Sequence, residues 1–255
     1  MPVELIINAD DFGLSSGINR GIIEGHHSGI ATSCSLMINI ADPSDIDMLR
    51  DEPGLGVGIH INLTRGKPMA RCNLGALLNN AGEFHIRHHD EFDIVDEEHI
   101  HREIRAQVEV ALATGLPNID HLDTHHHAQR HRKVFNAVKE IACAKGLACR
   151  ASDAWMVAEL RDAGVWCNDH FIGGFFGGEN IGVENLLDII NRLDDGVNEL
   201  MCHPGYISDD IKLHSGYMKE RPIELRTLTA PSVLDSISRN GVRLRKFGAR
   251  RIECI

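Results

Sequence analysis

Short apolar runs alternate with helix-like segments along almost the whole chain, and this alternation limits the folds that the sequence can adopt. The run at 3–8 (VELIIN) precedes a helix-like segment at 15–27, and two units of a helix followed by a strand lie near 132–150 and 183–202. Because parallel strands need long crossover connections, usually helices, the alternation predicts parallel pairing. Strands that are apolar on both faces are typical of a barrel or a doubly wound sheet. We therefore expect an α/β fold, and we favour a distorted (β/α) barrel with mostly parallel strands.

Periodicity, turn residues and cap residues give approximate bounds for these elements. The predicted strands lie at 3–8, 33–40, 56–63, 118–123, 147–150, 197–202 and 242–246, and the predicted helices at 15–27, 45–50, 96–115, 132–145 and 183–193. Residues 64–95 are rich in Gly, Asn, His and charge and lack periodicity, which predicts an inserted lid or binding loop. The length of 255 residues suits one (β/α)-barrel domain over 1–255.

The charge balance narrows the choice of partner. The chain carries 26 Lys and Arg against 37 Asp and Glu, a net charge of −11, so no net positive field would hold nucleic acid or an anionic membrane. A small neutral or cationic ligand fits better. The sequence begins without a basic and apolar signal, contains no apolar run long enough to span a membrane, and scatters its seven cysteines without a CxxC pair. We therefore expect a cytoplasmic protein.

Polar clusters follow the predicted strands at the points where those strands end. They are Asp10-Asp11, His60, the segment 121–127 (HLDTHHH) and His203. In a (β/α) barrel the carboxyl ends of the strands converge on one rim, where active sites are built. Segments far apart in the sequence are thus expected to meet in one cleft.

The first three clusters have the composition of a metal site. Consecutive residues of a strand point in different directions, so Asp10 and Asp11 can take different roles, although Asp is also a favoured helix cap. Strand alternation puts His121, Asp123 and His125 on one side of an extended segment. Imidazoles and a carboxylate are the usual ligands of a catalytic Zn²⁺ or similar ion.

The histidine within the third predicted strand has two interpretations. His60 stands among apolar residues, where a buried imidazole needs a polar partner. A lone histidine in such a strand is more often a hydrogen-bonded core residue than a ligand. The cluster at 121–127 favours the ligand.

Two further residues are candidates for the chemistry itself. His203 ends a predicted strand before Pro204-Gly205 and is placed to act as a general acid, although it could be an ordinary histidine at a strand end. Arg150 closes the short strand at 147–150. If buried, its guanidinium needs a carboxylate, and the Asp10-Asp11 pair is the obvious candidate. A surface arginine is the alternative.

Three residues are candidates for substrate binding. Arg221 and Glu224 stand three apart near a helix start, where an ion pair on a solvated face is the first interpretation and contact with substrate the second. Phe175 belongs to a Phe-Phe pair between two Gly-Gly pairs, a flexible apolar loop that could stack on a sugar ring. The loop lacks GxGxxG spacing and is not read as a nucleotide site.

The segments NADDFGLSSGIN, GIHINLT, HLDTHHH and ELMCHPGY resemble the YdjC-like carbohydrate deacetylases, a family that includes chito-oligosaccharide deacetylases. The match runs in order from residue 3 to about residue 228. The resemblance implies a distorted (β/α) barrel, often dimeric, with a divalent metal held by Asp11, His60 and His125. It also implies Asp10 as base, His203 as acid and Arg150 as the residue that orients the carboxylate. The sequence departs from the family at Gln129 and Arg132, where a further histidine and a proline are common.

The resemblance implies an activity as well. The expected enzyme is a cytoplasmic hydrolase that removes acetyl groups from chitobiose-like sugars containing N-acetylglucosamine, using one divalent ion, with Mg²⁺ or Zn²⁺ ahead of Mn²⁺ and Co²⁺. We expect a small N-acetylated sugar as its partner, a possible homodimer, and no nucleic acid or membrane. His121, Asp123 and His127 are expected beside the metal ligands. The alternatives are another metal-dependent amidohydrolase, a phosphoesterase, or a sugar-binding protein without catalysis.

Overall fold

A computed structural model describes residues 2–213 and 215–249, and its centre is one sheet of parallel strands. The strands are β1 (Val3–Phe12), β2 (Ser33–Leu36), β3 (Gly56–Ile61), β4 (Ile119–Thr124), β5 (Ala148–Cys149), β6 (His170–Ile172), β7 (Gly196–Cys202) and β8 (Arg243–Leu244). Every pairing between these strands is parallel, which confirms the predicted α/β class.

Eight α-helices connect or flank the strands. They are α1 (Ser16–His27), α2 (Pro43–Arg50), α3 (Glu97–Ala113), α4 (Arg132–Lys145), α5 (Ala154–Asp162), α6 (Val183–Asn191), α7 (Arg221–Leu228) and α8 (Pro231–Arg239), counted over the residues the model describes. Helix α1 begins where the Ser15 hydroxyl accepts a hydrogen bond from the Ile18 amide, and α4 ends at Gly146, which adopts the left-handed conformation typical of such positions.

The sheet curves into a distorted barrel. Its order is β5-β4-β3-β2-β1-β7-β6, and β8 pairs with the start of β1 through Glu4 and Leu5. The edge strand β5 is linked to the segment just before the other edge strand, β6, by an isolated parallel bridge between Cys149 and Cys167. The prediction of a distorted (β/α) barrel is therefore confirmed.

Several elements differ from the sequence-based prediction. Strand β1 continues to Phe12 and includes both aspartates, whereas β2 ends at Leu36 because the chain turns back at once, with the Ile40 amide donating to the Met37 carbonyl. The sequence does not predict helices α5 and α8 or strand β6, and for α7 it indicates only a start near Arg221. Strand β6 has only three residues, all partly exposed, and so carries little apolar signal.

The segment 64–95 packs against the main core instead of standing apart from it. Leu74, Leu77, Phe84 and Phe92 are buried in the same apolar cluster as the strands. Burying side chains of this size stabilises a fold by about 1.5–3 kcal/mol each, so the segment is well anchored. Among the described helices, none has the length and apolar character needed to cross a bilayer.

Candidate active site

A local irregularity in β1 separates the side chains of the two consecutive aspartates. The pairing of β1 with β2 shifts register between Ala9 and Phe12, and Asp11 has φ 74°. This left-handed conformation is uncommon for residues other than glycine, although Asp tolerates it better than most. As a result, Asp10 contacts Arg150 while Asp11 faces His60, His125 and Arg221.

Asp11, His60 and His125 converge on one point. His60 Nε2 lies 3.2 Å from His125 Nδ1, and Asp11 Oδ1 lies 3.1 Å from His125 Nδ1 and 3.5 Å from His60 Nε2. All three residues are buried, and Asp11 Oδ1 has no hydrogen-bond partner. This buried carboxylate oxygen receives no hydrogen bond, and it lies beside two imidazole nitrogens. Together the three atoms form a set of ligands that a divalent cation would satisfy.

Asp123 contacts one of these candidate ligands, and its own two oxygens already have partners. Its Oδ1 lies 2.8 Å from His60 Nδ1, which leaves His60 Nε2 for the cation, and its Oδ2 bonds to Ser35 at 2.8 Å and Arg150 at 2.9 Å. A carboxylate behind a metal-binding histidine fixes the tautomer and raises ligand basicity. Asp10, His60 and Asp123 form a second group with suitable spacing, but the oxygens of Asp123 already have these partners.

The carboxylates around the site control its protonation. Burial opposes a charge on His60, but the charge of Asp123 and the nearby carboxylates of Asp11 and Asp123 outweigh it and raise the pKa of His60 to about 10. Burial also opposes the charge of Asp11, yet Arg221 and His125 hold the pKa of that carboxyl well below its usual range. A cation that binds here therefore replaces the proton of His60.

Asp10 has one oxygen with spare hydrogen-bonding capacity. Its Oδ1 accepts from Arg150 Nη2 at 2.7 Å and from Asn8 Nδ2 at 2.8 Å, whereas Oδ2 accepts from Arg150 Nη1 at 2.8 Å. Burial opposes the charge of Asp10, but the charge of Arg150 keeps its pKa lowered. Because each carboxylate oxygen has two lone pairs, Oδ2 is the atom that can accept a further proton.

The expectation of a solvated ion pair between Arg221 and Glu224 is wrong. Both residues are buried, and Arg221 Nη2 donates to Asp11 Oδ2 at 2.5 Å. Glu224 accepts from the backbone amide of His203 and from the hydroxyl of Tyr217, both at 2.5 Å. Burial raises the pKa of Glu224 to about 7. Arg221 thus holds the candidate metal ligand Asp11, and Glu224 holds the backbone of the candidate general acid His203.

The aromatic ring beside the cleft is Phe176 and not Phe175. Phe175 is fully buried in the core, whereas Phe176 is 46% exposed. The Phe176 ring stacks on Tyr217 with centroids 4.4 Å apart and meets the edge of His203 at 5.4 Å. The sequence signal, a Phe-Phe pair between glycines, identified the loop but not which ring faces outward.

Two of the remaining histidines have different surroundings. His121 is expected from the sequence to lie beside the metal ligands, but its Nδ1 lies 2.6 Å from Asp120 and its ring stacks on Phe247 at 3.9 Å, and neither contact is with a candidate ligand. His127 borders the cleft and meets the edge of Phe171 at 5.7 Å. Both His127 and its neighbour His126 have positive φ, because the chain turns sharply after β4.

These side chains surround a cavity of about 270 Å³. It is lined by Asp10, His60, Thr124, His125, His126, His127, Gly173, Phe176, Met201 and His203. Burial lowers the pKa of His203 to about 4, so this imidazole is neutral at neutral pH. A larger depression of about 820 Å³ between α5 and α6 contains none of the candidate metal ligands. The smaller cavity brings together the candidate base Asp10, the candidate acid His203 and two imidazoles that could bind a metal, and it is therefore the candidate active site.

Known proteins share this sequence pattern over nearly the whole chain. The model of the YdjC-like protein family matches residues 4–239. A carbohydrate deacetylase from Thermoanaerobacter pseudethanolicus is 36% identical over 245 residues, covering 95% of this chain and 97% of the relative. A carbohydrate deacetylase from Clostridium beijerinckii is 36% identical over 250 residues, covering 96% and 99%.

Solved structures agree on the fold. A proposed cellobiose-phosphate cleavage protein from Enterococcus faecalis superimposes with a TM-score of 0.87 at 27% identity, covering 97% of this chain and 98% of that one. A family 4 carbohydrate esterase from Streptomyces lividans, solved with acetate, gives 0.55 at 11% identity, covering 95% and 91%, a likeness of fold alone. With the family model spanning most of its length and relatives of 36% identity, this chain belongs to the YdjC-like protein family.

Proposed function

We propose that the protein is a metal-dependent hydrolase that removes the acetyl group from chitobiose-like sugars containing N-acetylglucosamine. The observation that carries this proposal is the convergence of Asp11, His60 and His125 beside Asp10 in one buried site. The relatives named carbohydrate deacetylase support the choice of reaction.

The chain's own residues fit a divalent cation. Asp11 Oδ1, His60 Nε2 and His125 Nδ1 would hold it, and three protein ligands of this kind leave room for water. When bound, such an ion acts as a Lewis acid and lowers the pKa of water. Mg²⁺, Zn²⁺, Mn²⁺ and Co²⁺ all accept carboxylate and imidazole ligands, and we place Mg²⁺ and Zn²⁺ first.

Asp10 is the general base in this proposal. It accepts the proton of the attacking water on Oδ2, the oxygen with a free lone pair. Arg150 holds both Asp10 oxygens and so fixes the direction of that lone pair. The water oxygen then bonds to the acetamide carbon.

His203 delivers a proton to the departing nitrogen. Its low pKa means that it is neutral at the start, so during the reaction it receives the proton that Asp10 took from the water, since both side chains line the same cavity. The C–N bond breaks, the sugar leaves as an amine, and acetate is released. Glu224, which accepts from the His203 amide, holds the segment in place.

The cavity size indicates how the sugar binds. Its volume of about 270 Å³ is just below the usual range for ligand pockets, roughly 300 to 1,000 Å³. The acetylated end of a sugar enters it, and the next ring lies against the exposed face of Phe176. Arg221 acts on substrate through Asp11, and the segment 64–95 remains a predicted lid.

Acetate release provides the test. The protein is stripped of metal, reloaded with Mg²⁺ or Zn²⁺, and incubated with N,N′-diacetylchitobiose, N-acetylglucosamine and a sugar phosphate. We expect acetate from the N-acetylated sugars, loss of activity with chelator, and no phosphate release. Phosphate without acetate would favour the phosphoesterase alternative, and binding of the disaccharide without turnover would favour a sugar-binding protein. The homodimer and the cytoplasmic location remain predictions, the first testable by light scattering.

A further inference from the structure

Arg150 lies at the centre of a buried cluster that contains one more carboxylate than the proposed mechanism uses. Its Nη1 and Nη2 bind Asp10, Nη1 also lies 2.9 Å from Asp123, and Nε donates to Glu199 at 2.6 Å. The side chains of Arg150 and Glu199 are both fully buried. Glu199 is on β7, and none of its described hydrogen bonds involves a candidate metal ligand.

The geometry of a guanidinium explains what Glu199 contributes. The five N–H donors of arginine lie in one plane in a fixed fork, so fixing the Nε edge also fixes the direction of the opposite edge. Phe171 lies against the group, with its ring centroid 5.4 Å from Arg150 Cζ. With Glu199 on one edge and Asp10 on the other, the plane of the guanidinium has a single orientation.

The cost of keeping a carboxyl at position 199 argues for a role beyond stability. Burial raises the pKa of Glu199 to about 7, against the pull of Arg150, and its Oε2 has no hydrogen-bond partner. A buried polar atom without a partner destabilises a fold, and an apolar residue of similar volume is often neutral or stabilising at such a place. Residues that break a local rule of stability in this way are typical of functional sites.

We infer that Glu199 is a positioning residue, which holds Arg150 Nε so that the guanidinium presents its other edge to Asp10 and aims Asp10 Oδ2 at the cavity. This inference rests on the proposed function, since Asp10 is the base there. Glu199 itself does not line the cavity and acts through Arg150.

Two variants of Glu199 and one control separate positioning from general stability. Glu199→Gln keeps an oxygen that can accept from Arg150 Nε, whereas Glu199→Leu removes it. Glu4→Gln is the matched control, because Glu4 is also buried and also paired with an arginine, Arg245 at 2.7 Å, but lies at the opposite end of the barrel. For each, kcat and KM for acetate release, metal content and thermal stability are measured.

The inference predicts that kcat falls most in the variant that removes the hydrogen-bond acceptor for Arg150 Nε. We expect kcat to fall about 100-fold in Glu199→Leu and less than about 10-fold in Glu199→Gln, because a displacement of about 1 Å at a catalytic group costs about that much. KM and metal content should stay within about twofold, and Glu4→Gln should keep its kcat. A kcat within about twofold of wild type in folded Glu199→Leu, or an equal loss in Glu4→Gln, would overturn the inference.

A crystal structure of Glu199→Leu tests the same point without the reaction. We expect the Arg150 guanidinium to turn away from Asp10, with at least one of the two Arg150–Asp10 hydrogen bonds broken. An unchanged two-point pair would refute positioning by Glu199. If the wild-type protein released no acetate from any sugar, the proposed function would fail, and this crystallographic result would still decide whether Glu199 positions Arg150.

Discussion

Arg150 and Asp10 form a two-point ion pair, with Nη1–Oδ2 at 2.8 Å and Nη2–Oδ1 at 2.7 Å, between residues 140 positions apart in the chain. Both side chains are at most 3% exposed. At this buried position the planar guanidinium of arginine donates two parallel hydrogen bonds to the carboxylate, which the ammonium group of lysine cannot do. The pair therefore links folding stability to the orientation of the proposed base.

Replacing Arg150 should affect stability and turnover by different amounts. Arg150→Met leaves buried carboxylates without their cation, and we expect a loss of about 3–5 kcal/mol in the free energy of unfolding. Arg150→Lys keeps the positive charge but can make only one of the two hydrogen bonds to Asp10. We therefore expect kcat to fall about 100-fold, with a smaller loss of stability than in Arg150→Met. Urea denaturation and acetate assays measure the two effects. Arg130→Lys, in an exposed pair with Asp153, is the control and should change stability by no more than about 0.5 kcal/mol.

Different mutations should remove metal binding and the function of the general base. His60→Ala or His125→Ala removes a ligand, so we expect metal content and activity to disappear together. Asp10→Asn leaves the three ligand atoms in place, so metal should remain while turnover is lost. Metal is counted by elemental analysis after dialysis, alongside the acetate assay. Retained metal in both histidine variants would refute the ligand set, and retained deacetylation in Asp10→Asn would refute its role as base.

The sequence predicts the strand-end residues because each interrupts an apolar run. Asp10, Asp11 and His60 are polar residues in segments whose neighbours are buried on both faces, and parallel strands bring such ends together. The same logic locates His125, although the chain has already left β4 for a sharp turn there. The fold class follows from the same alternation of strands and helices.

Contacts that depend on distant segments could not be predicted in this way. Arg221 lies 210 positions from Asp11, and only the folded chain shows that it pairs with Asp11 and not with Glu224. Glu199 resembles an ordinary polar residue of a strand, with no local sign that its partner is Arg150. Of the two rings in the Gly-Phe loop, periodicity cannot choose the exposed one, because the segment has no repeating backbone conformation.

The two phenylalanines of that loop should respond differently to truncation. Phe176→Ala removes a ring that is 46% exposed beside the cavity, so we expect KM for a disaccharide to rise about 3- to 10-fold, with little change in kcat or stability. Phe175→Ala empties a fully buried site and should cost about 3–5 kcal/mol of stability. Kinetics on mono- and disaccharides, with thermal denaturation, distinguish the two. An unchanged KM in Phe176→Ala would argue against sugar stacking on this ring.

The buried state of His203 should make the metal-free protein sensitive to mild acid. Burial lowers the pKa of His203 to about 4 in the folded protein, whereas an unfolded histidine has a pKa near 6.5. As pH falls from about 6.5 to about 4, the unfolded chain takes up this proton and the folded one does not. The free energy of unfolding therefore decreases over that range, by about 3 kcal/mol at most for this group.

His203→Asn removes the titrating group, so the stability difference between wild type and variant should shift in favour of the variant as pH falls from about 7 to about 4. Above pH 7 the difference should be constant, because the histidine is then neutral in both the folded and the unfolded state. Urea denaturation at several pH values in the presence of chelator measures this difference. NMR titration of the His203 ring provides an independent check. A midpoint near 6.5, or a stability difference that does not change with pH, would show that burial does not keep this imidazole neutral, and the proposal that His203 gains its proton only during the reaction would then fail.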